Sequence, residues 1–264
     1  MDLHDRRVLV TGASRGIGVE LARHFAAAGA EVALVARSAE RIEKLAADLG
    51  GRAYPADLAD RTVLADLYTR IELDGPIDVL VNNAGVEHTG PLADTDPDDI
   101  DALLDLNLHT PIQLSRLALP GMRRRGTGHI VNMSSIAGSI AAPGLAAYTA
   151  SKAGLSHFTG CLRAEVKGQG IGTTLVEVGP VATDMLTDGL HGYAPTSRAV
   201  ARFEKLRLLV NLEPEHVAAA TVRAVQRDRR HVRLPSRAAA LPMIAELPRR
   251  LTELLLTGVD HHTT

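Results

Sequence analysis

This chain of 264 residues has no tryptophan, one cysteine, three phenylalanines and four tyrosines. The lone Cys161 rules out an internal disulfide and suits a reducing compartment, so a cytoplasmic location is expected. With a formal net charge of -2 and a pI near 6.6, the chain has no global field that would gather nucleic acid or an anionic membrane. No apolar run approaches the roughly 20 residues that a spanning helix needs. The start, "MDLHDRRVLVTG", enters a strand at once, so neither export nor membrane insertion is expected. The eleven histidines are scattered, without an H-E-x-x-H or Cys/His framework, and no metal is expected. Repeats and Pro/Ser-rich linkers are also missing, so residues 1–264 read as one domain.

What is present is 45% hydrophobic residues and 23% charged ones, enough to bury a large core. Short β-branched and leucine runs alternate with segments of helical period. Strands are predicted over 7–11, 31–36, 52–56, 77–82, 128–134, 171–178 and 230–234, and helices over 16–28, 39–49, 60–73, 97–124, 147–167 and 214–227. Runs such as "IDVLVNN" are nearly all apolar, as strands covered on both faces require. The predicted fold is α/β: a doubly wound, Rossmann-type parallel sheet of about seven strands with helices on both faces. Two segments break the rhythm, a long irregular insert over 184–213 and a tail over 235–264.

"VLVTGASRGIGVELARHF" reads as strand, glycine-rich turn and helix. Gly12 permits the tight exit, while Gly16 and Gly18 let backbone approach a pyrophosphate, with Ser14, Arg15 and Ile17 between and beside them. The helix start that follows offers unpaired N–H groups to negative charge. A P-loop is disfavoured because no Gly-Lys-Ser/Thr follows. In such a site an acid at the end of the second strand would bond a ribose 2'-OH, whereas arginine accommodates a 2'-phosphate. Here the strand "EVALVAR" ends on Arg37, with no acid until Glu40, and Arg15 can supply a second guanidinium. NADP(H) is therefore the expected cofactor, in preference to NAD(H).

In "LAAYTASKAGL", Tyr148 and Lys152 stand four apart on one predicted helix face, where an ammonium can favour the ionised phenol. Together with "NNAG" at 82–85, "NMSS" at 132–135 and the glycine turn, this pair resembles the short-chain dehydrogenase/reductase family over about residues 7–185. The resemblance implies hydride transfer between nicotinamide and a carbon bearing oxygen, with Tyr148 as general acid/base. It further implies that Ser135, thirteen residues before Tyr148, orients the substrate oxygen, and that neighbouring Ser134 does not. Lys152 would lower the Tyr148 pKa and bond the nicotinamide ribose, and Asn107 would hold a water that passes the proton to solvent. Asp57 and Leu58 match the adenine contact; Asn83, Ala84 and Gly85 match the turn behind the adenosine ribose; Val181 and Thr183 match the carboxamide contact. One departure is "VEVGPVATDM", where Val178 takes the family's usual proline position before Gly179, and Pro180 comes one step later.

The resemblance also implies a homodimer or homotetramer and an alcohol or carbonyl substrate. The 184–213 insert, with Tyr193 and Phe203, falls where the family varies its substrate lid, and its leucine content points to a lipophilic substrate. In the tail, Leu241, Ile244, Leu247, Leu251, Leu254 and Leu255 make an amphipathic helix broken by Pro248. That helix would dock on the domain or on a sister subunit, with a membrane surface as the alternative. The basic runs "MRRRG" and "RDRRHVR" read as solvated helix ends. A catalytically silent dinucleotide sensor or scaffold is the alternative from another class. An epimerase would need a larger substrate domain.

Overall fold

The structure is a computed structural model that describes residues 1–140, 143–183, 193–205 and 210–236. Parts of the 184–213 insert, and residues 237–264 of the expected tail helix, lie outside the described residues.

The apolar runs form seven strands: β1 (Arg7–Thr11), β2 (Glu31–Ala36), β3 (Arg52–Pro55), β4 (Val79–Asn82), β5 (Gly128–Ser135), β6 (Ile171–Val178) and β7 (His231–Leu234). They make one parallel sheet in the order β3-β2-β1-β4-β5-β6-β7. Between them run α1 (Gly16–Ala27), α2 (Ala39–Leu49), α3 (Leu64–Leu73), α4 (Pro97–Leu104), α5 (Thr110–Arg125), α6 (Ala146–Glu165), α7 (Ala194–Lys205) and α8 (Pro214–Gln226). Strand side chains alternate between two cores. Val8 and Val10 pack with Leu21, Phe25 and Val217 on the face of α1 and α8, while Leu9 packs with Leu67, Ile71, Leu114 and Leu162 on the face of α3, α5 and α6. Each such fully buried side chain stabilises the fold by about 1.5–3 kcal/mol before the cost of ordering it. The sheet reverses its winding between β1 and β4, which leaves a crevice at the carboxyl ends of those strands.

Two predicted elements differ from the structure. The single helix over 97–124 is broken by a π-helical segment, Asp105–His109, between α4 and α5. The cause is local: Pro111 has no N–H, so the carbonyl four residues back, that of Asn107, loses its α-helical donor and the ladder widens. The insert read as irregular contains α7, whose Thr196 is buried and donates to the Pro143 carbonyl at 2.6 Å.

Candidate active site

A cleft of about 870 Å³ opens at the carboxyl end of the sheet. One end of it is the glycine turn. Thr11 Oγ1 accepts from the backbone N–H of Asn83 and of Ala84, both at 3.0 Å, and Asn83 Nδ2 donates to the Thr11 carbonyl at 2.9 Å. The exits of β1 and β4 are thereby bolted together, leaving no room for side chains in the turn. Gly12 has φ +67°, and a Cβ there would lie 2.8 Å from Ala84 Cα. A Cβ on Gly18 would run into the Gly12 carbonyl and stand 2.9 Å from Asn83 Nδ2.

Helix α1 starts immediately after this turn. Its N-cap, Arg15, makes no side-chain capping bond and its first turn holds no acid, so the first N–H groups face the cleft open to an anion. Arg15, Arg37 and Arg41 are exposed and border the same region. Asp57 and Leu58 form its floor beside them, and the Leu58 carbonyl is fixed by Thr110 Oγ1 at 2.7 Å. This cradle, open only because two glycines lack side chains, fits the backbone-and-cation site that a dinucleotide 2'-phosphate and pyrophosphate require.

The other end is built by β5 and α6. Ser134 faces α6, donating to the Lys152 carbonyl at 3.0 Å and sharing a 2.9 Å bond with Ser156 Oγ. Ser135, one step along the strand, accepts from Ala137 N–H at 3.1 Å, donates to the Val178 carbonyl at 3.2 Å and faces the Tyr148 hydroxyl. The Tyr148 and Lys152 side chains border the same cleft, with Lys152 Nζ 5.8 Å from the tyrosine ring centre and donating to the Met133 carbonyl at 3.1 Å. Asn107 lies behind them, fully buried. Its Oδ1 accepts from Val86 N–H and its Nδ2 donates to the Val86 carbonyl, both at 2.9 Å, with a further 3.2 Å bond to Ser151 Oγ. Val181 and Thr183 border the cleft on the far side. Val181 pairs with Leu212, and the Thr183 methyl would lie 3.0 Å from a Cβ on Gly16.

Burial sets the charges here. It raises the Tyr148 hydroxyl well above the ordinary tyrosine value; the Glu87 charge adds to this and the Ser135 bond opposes it. Burial pushes Lys152 down to about 8 against the pull of Glu87, and pushes the Glu87 carboxyl up to about 7 against the pull of Lys152. In this arrangement burial outweighs any lowering of the Tyr148 pKa by the Lys152 charge. The ammonium donates one of its three N–H groups to Met133, and desolvation and a nearby carboxylate both favour the neutral phenol.

A family model described as short chain dehydrogenase matches residues 6–193. The Bos taurus protein named Dehydrogenase/reductase SDR family member 7B is 39% identical over 190 residues, 67% of this chain and 58% of that relative. The chain thus spans less than two thirds of the relative's length. A short-chain dehydrogenase from Sphingobium yanoikuyae, solved in complex with NADPH, superposes with a TM-score of 0.80 at 28% identity over 98% of both chains. A metagenomic short-chain oxidoreductase in complex with NADP gives a TM-score of 0.72 at 32% identity, covering 88% of this chain and 98% of that one.

The chain belongs to the short-chain dehydrogenase/reductase family. It carries the Rossmann-like parallel sheet of those structures. In this short-chain dehydrogenase/reductase the sequence-predicted residues Gly12, Ser14, Arg15, Gly16, Ile17, Gly18, Arg37, Asp57, Leu58, Asn83, Ala84, Gly85, Ser135, Tyr148, Lys152, Val181 and Thr183 all line the cleft. Asn107 does not border the cleft; both ends of its amide hold Val86, so its side chain shapes the wall.

Two charged residues that border the cleft escaped the sequence reading. Arg41 sits four positions after Arg37, a spacing that could have revealed it. Glu87 is a single acid two places after the "NNAG" turn and belongs to no pattern. Among the described residues no cluster of three His, Cys, Asp or Glu could hold a metal, and no helix is long and apolar enough to cross a membrane.

Proposed function

We propose that this enzyme uses NADP(H) to interconvert a carbonyl compound and its alcohol, with Tyr148 as the general acid/base. One observation carries the reading. Tyr148, Lys152 and Ser135 converge at one end of a cleft whose other end is a glycine cradle flanked by three arginines, with no acid closing β2. Gly12, Gly16 and Gly18 would admit the pyrophosphate backbone, Arg15, Arg37 and Arg41 the 2'-phosphate, and Asp57 the adenine. When bound, the nicotinamide supplies or accepts the hydride.

The chain's own residues do the rest. Ser135 orients the substrate oxygen by a hydrogen bond. Tyr148, held neutral by burial, keeps its proton on the hydroxyl until a developing alkoxide takes it, which suits carbonyl reduction. Lys152 supplies positive charge beside the phenol as it loses that proton, and Asn107 keeps the Val86 wall in place. Ile136, Ile140 and Leu145 give the substrate side an apolar surface, in keeping with the leucine content of the 184–213 segment, and support a substrate with a lipophilic body. The homodimer or homotetramer stays a proposal drawn from the family likeness.

Titrating the protein and its Arg37→Ala variant with NADPH and NADH, followed by nicotinamide fluorescence, tests this. The wild type should prefer NADPH, and the variant should lose about 10-fold or more in NADPH affinity, the worth of a charge-assisted hydrogen bond, while NADH binding stays put. Equal affinity for both cofactors in the wild type removes the NADP(H) preference. Binding of neither removes the whole reading. Cofactor binding without reduction of any member of a ketone and aldehyde panel would favour a silent sensor instead.

A further inference from the structure

Two carboxylates border the cleft among the described residues, and they are in different conditions. Asp57 accepts from the Ala59 backbone N–H at 3.0 Å. Glu87, half-buried at the catalytic end, receives no hydrogen bond: its Oε1 is enclosed by the chain without a donor, and its Oε2 is neither bonded nor enclosed. A carboxylate that borders a ligand cleft and to which the chain itself offers no donor is suited to a donor that arrives from outside. The backbone that carries Glu87 is fixed. The residue before it, Val86, is clamped through both its N–H and its carbonyl by Asn107, at 2.9 Å each. Two residues before it, the space beside Gly85 is closed by Asn107 Oδ1 and Lys152 Nζ, which would lie 3.0 and 3.4 Å from a Cβ there. No hydrogen bond or ion pair joins Glu87 to Lys152, although its charge is felt at both Tyr148 and Lys152.

We propose that Glu87 determines specificity by accepting a hydrogen bond from a second hydroxyl on the substrate, close to the carbon that Tyr148 serves, so that hydroxyketones and diols are preferred over plain ketones and alcohols. This rests on the oxidoreductase reading above and names its substrate class: an apolar body with a hydroxyl beside the reacting oxygen. A neutral donor fits better than an ammonium, because Lys152 already places a positive charge at this end of the cleft. A site built around an acceptor discriminates strongly, since a substrate lacking the donor leaves the carboxylate oxygen desolvated and unpaired.

The test pairs α-hydroxyketones with the same ketones lacking the hydroxyl, measured with NADPH on wild type, Glu87→Gln and Glu87→Leu, folding being checked by thermal melt and NADPH binding. The wild type should favour the hydroxylated series in kcat/KM by at least about 10-fold. That ratio should shrink in Glu87→Gln, which keeps one acceptor oxygen in the same volume, and fall toward one in Glu87→Leu. A wild type that does not discriminate overturns the proposal. So does an equal loss on both series in the variants, which would mean that Glu87 acts through Lys152 and Tyr148 instead of on the substrate. Failure of the oxidoreductase reading looks different: the wild type would reduce neither series. Glu87 would then be judged by binding of the two series to the NADPH-loaded protein, followed by nicotinamide fluorescence, where equal affinity overturns it.

Discussion

Arg7, at the amino end of the sheet, is 4% exposed, yet its guanidinium meets an acceptor in every direction: the carbonyls of Ile71 and Gly75 and the Tyr54 hydroxyl, each at 2.6 Å, and Glu31 at 3.3 Å. Nearby His129 is buried against Thr174 Oγ1 at 2.8 Å, and Thr174 in turn donates to the Arg229 carbonyl. At the carboxyl end the polar groups are left short. Glu87 Oε1 has no donor, and the Lys152 ammonium spends one hydrogen bond on Met133. Around Arg7 and His129 the amino end is a polar network that holds strands together. The carboxyl end keeps its open valences for molecules the chain does not itself contain, and desolvation there shifts three ionisable groups at once.

The contrast predicts separable damage, and the closed end should suffer most in stability. Arg7→Met keeps much of the volume but takes the donor from the Gly75 carbonyl and one partner each from the Ile71 carbonyl, the Tyr54 hydroxyl and Glu31, and should cost about 3 kcal/mol. The shift of the urea midpoint measures it, and activity per folded molecule should change little; a loss of turnover without a loss of stability would break the division between the two ends.

His129 comes next. Burial pushes it down to about 4 from the ordinary 6.5, so the folded state holds it neutral. Its contribution is fully present above pH 6.5 and is lost as pH falls toward 4, because only the unfolded chain takes up the proton in that window. The loss is about 3 kcal/mol. Denaturant midpoints at pH 7 and 4.5 for wild type and His129→Asn should show a flatter dependence in the variant, and parallel curves would acquit the histidine.

Smallest in energy, though largest for function, is Tyr148→Phe. It removes the proton donor from the open end and should lower turnover by at least about 100-fold with NADPH binding and stability retained. Activity surviving in that variant would remove the assigned chemistry.

Much of this was legible in the sequence because the signals were local. The runs of β1, β2 and β6 end where Gly12, Arg37 and Gly179 interrupt them, and the structure places those strands on the predicted residues. The structure sets Ser135 and Ser134 apart, since alternation along β5 turns one toward Tyr148 and the other into α6. The break at Asn107 went unread because an apolar period continues across it; only the missing N–H of Pro111 marks it. Glu87 and the charge state of Tyr148 were out of reach for another reason. Both depend on how deeply a group is buried by elements distant in the chain, and an i,i+4 pattern carries the sign of a neighbouring charge without the desolvation that outweighs it.

The widened turn at Asp105–His109 has a geometric cost that spreads along its helix. Each residue of an α-helix advances about 100° around the axis, so one additional residue in a turn rotates everything that follows by roughly that angle. The whole of α5 is thus presented to β4 and β5 in a phase that an unbroken helix from Pro97 would not give, while Asn107 points inward to grip Val86. A one-residue deletion there would swing Leu114 and Ala118 off the sheet and release the cleft wall together, which makes helix length, as much as side-chain identity, a dial on the shape of the catalytic end.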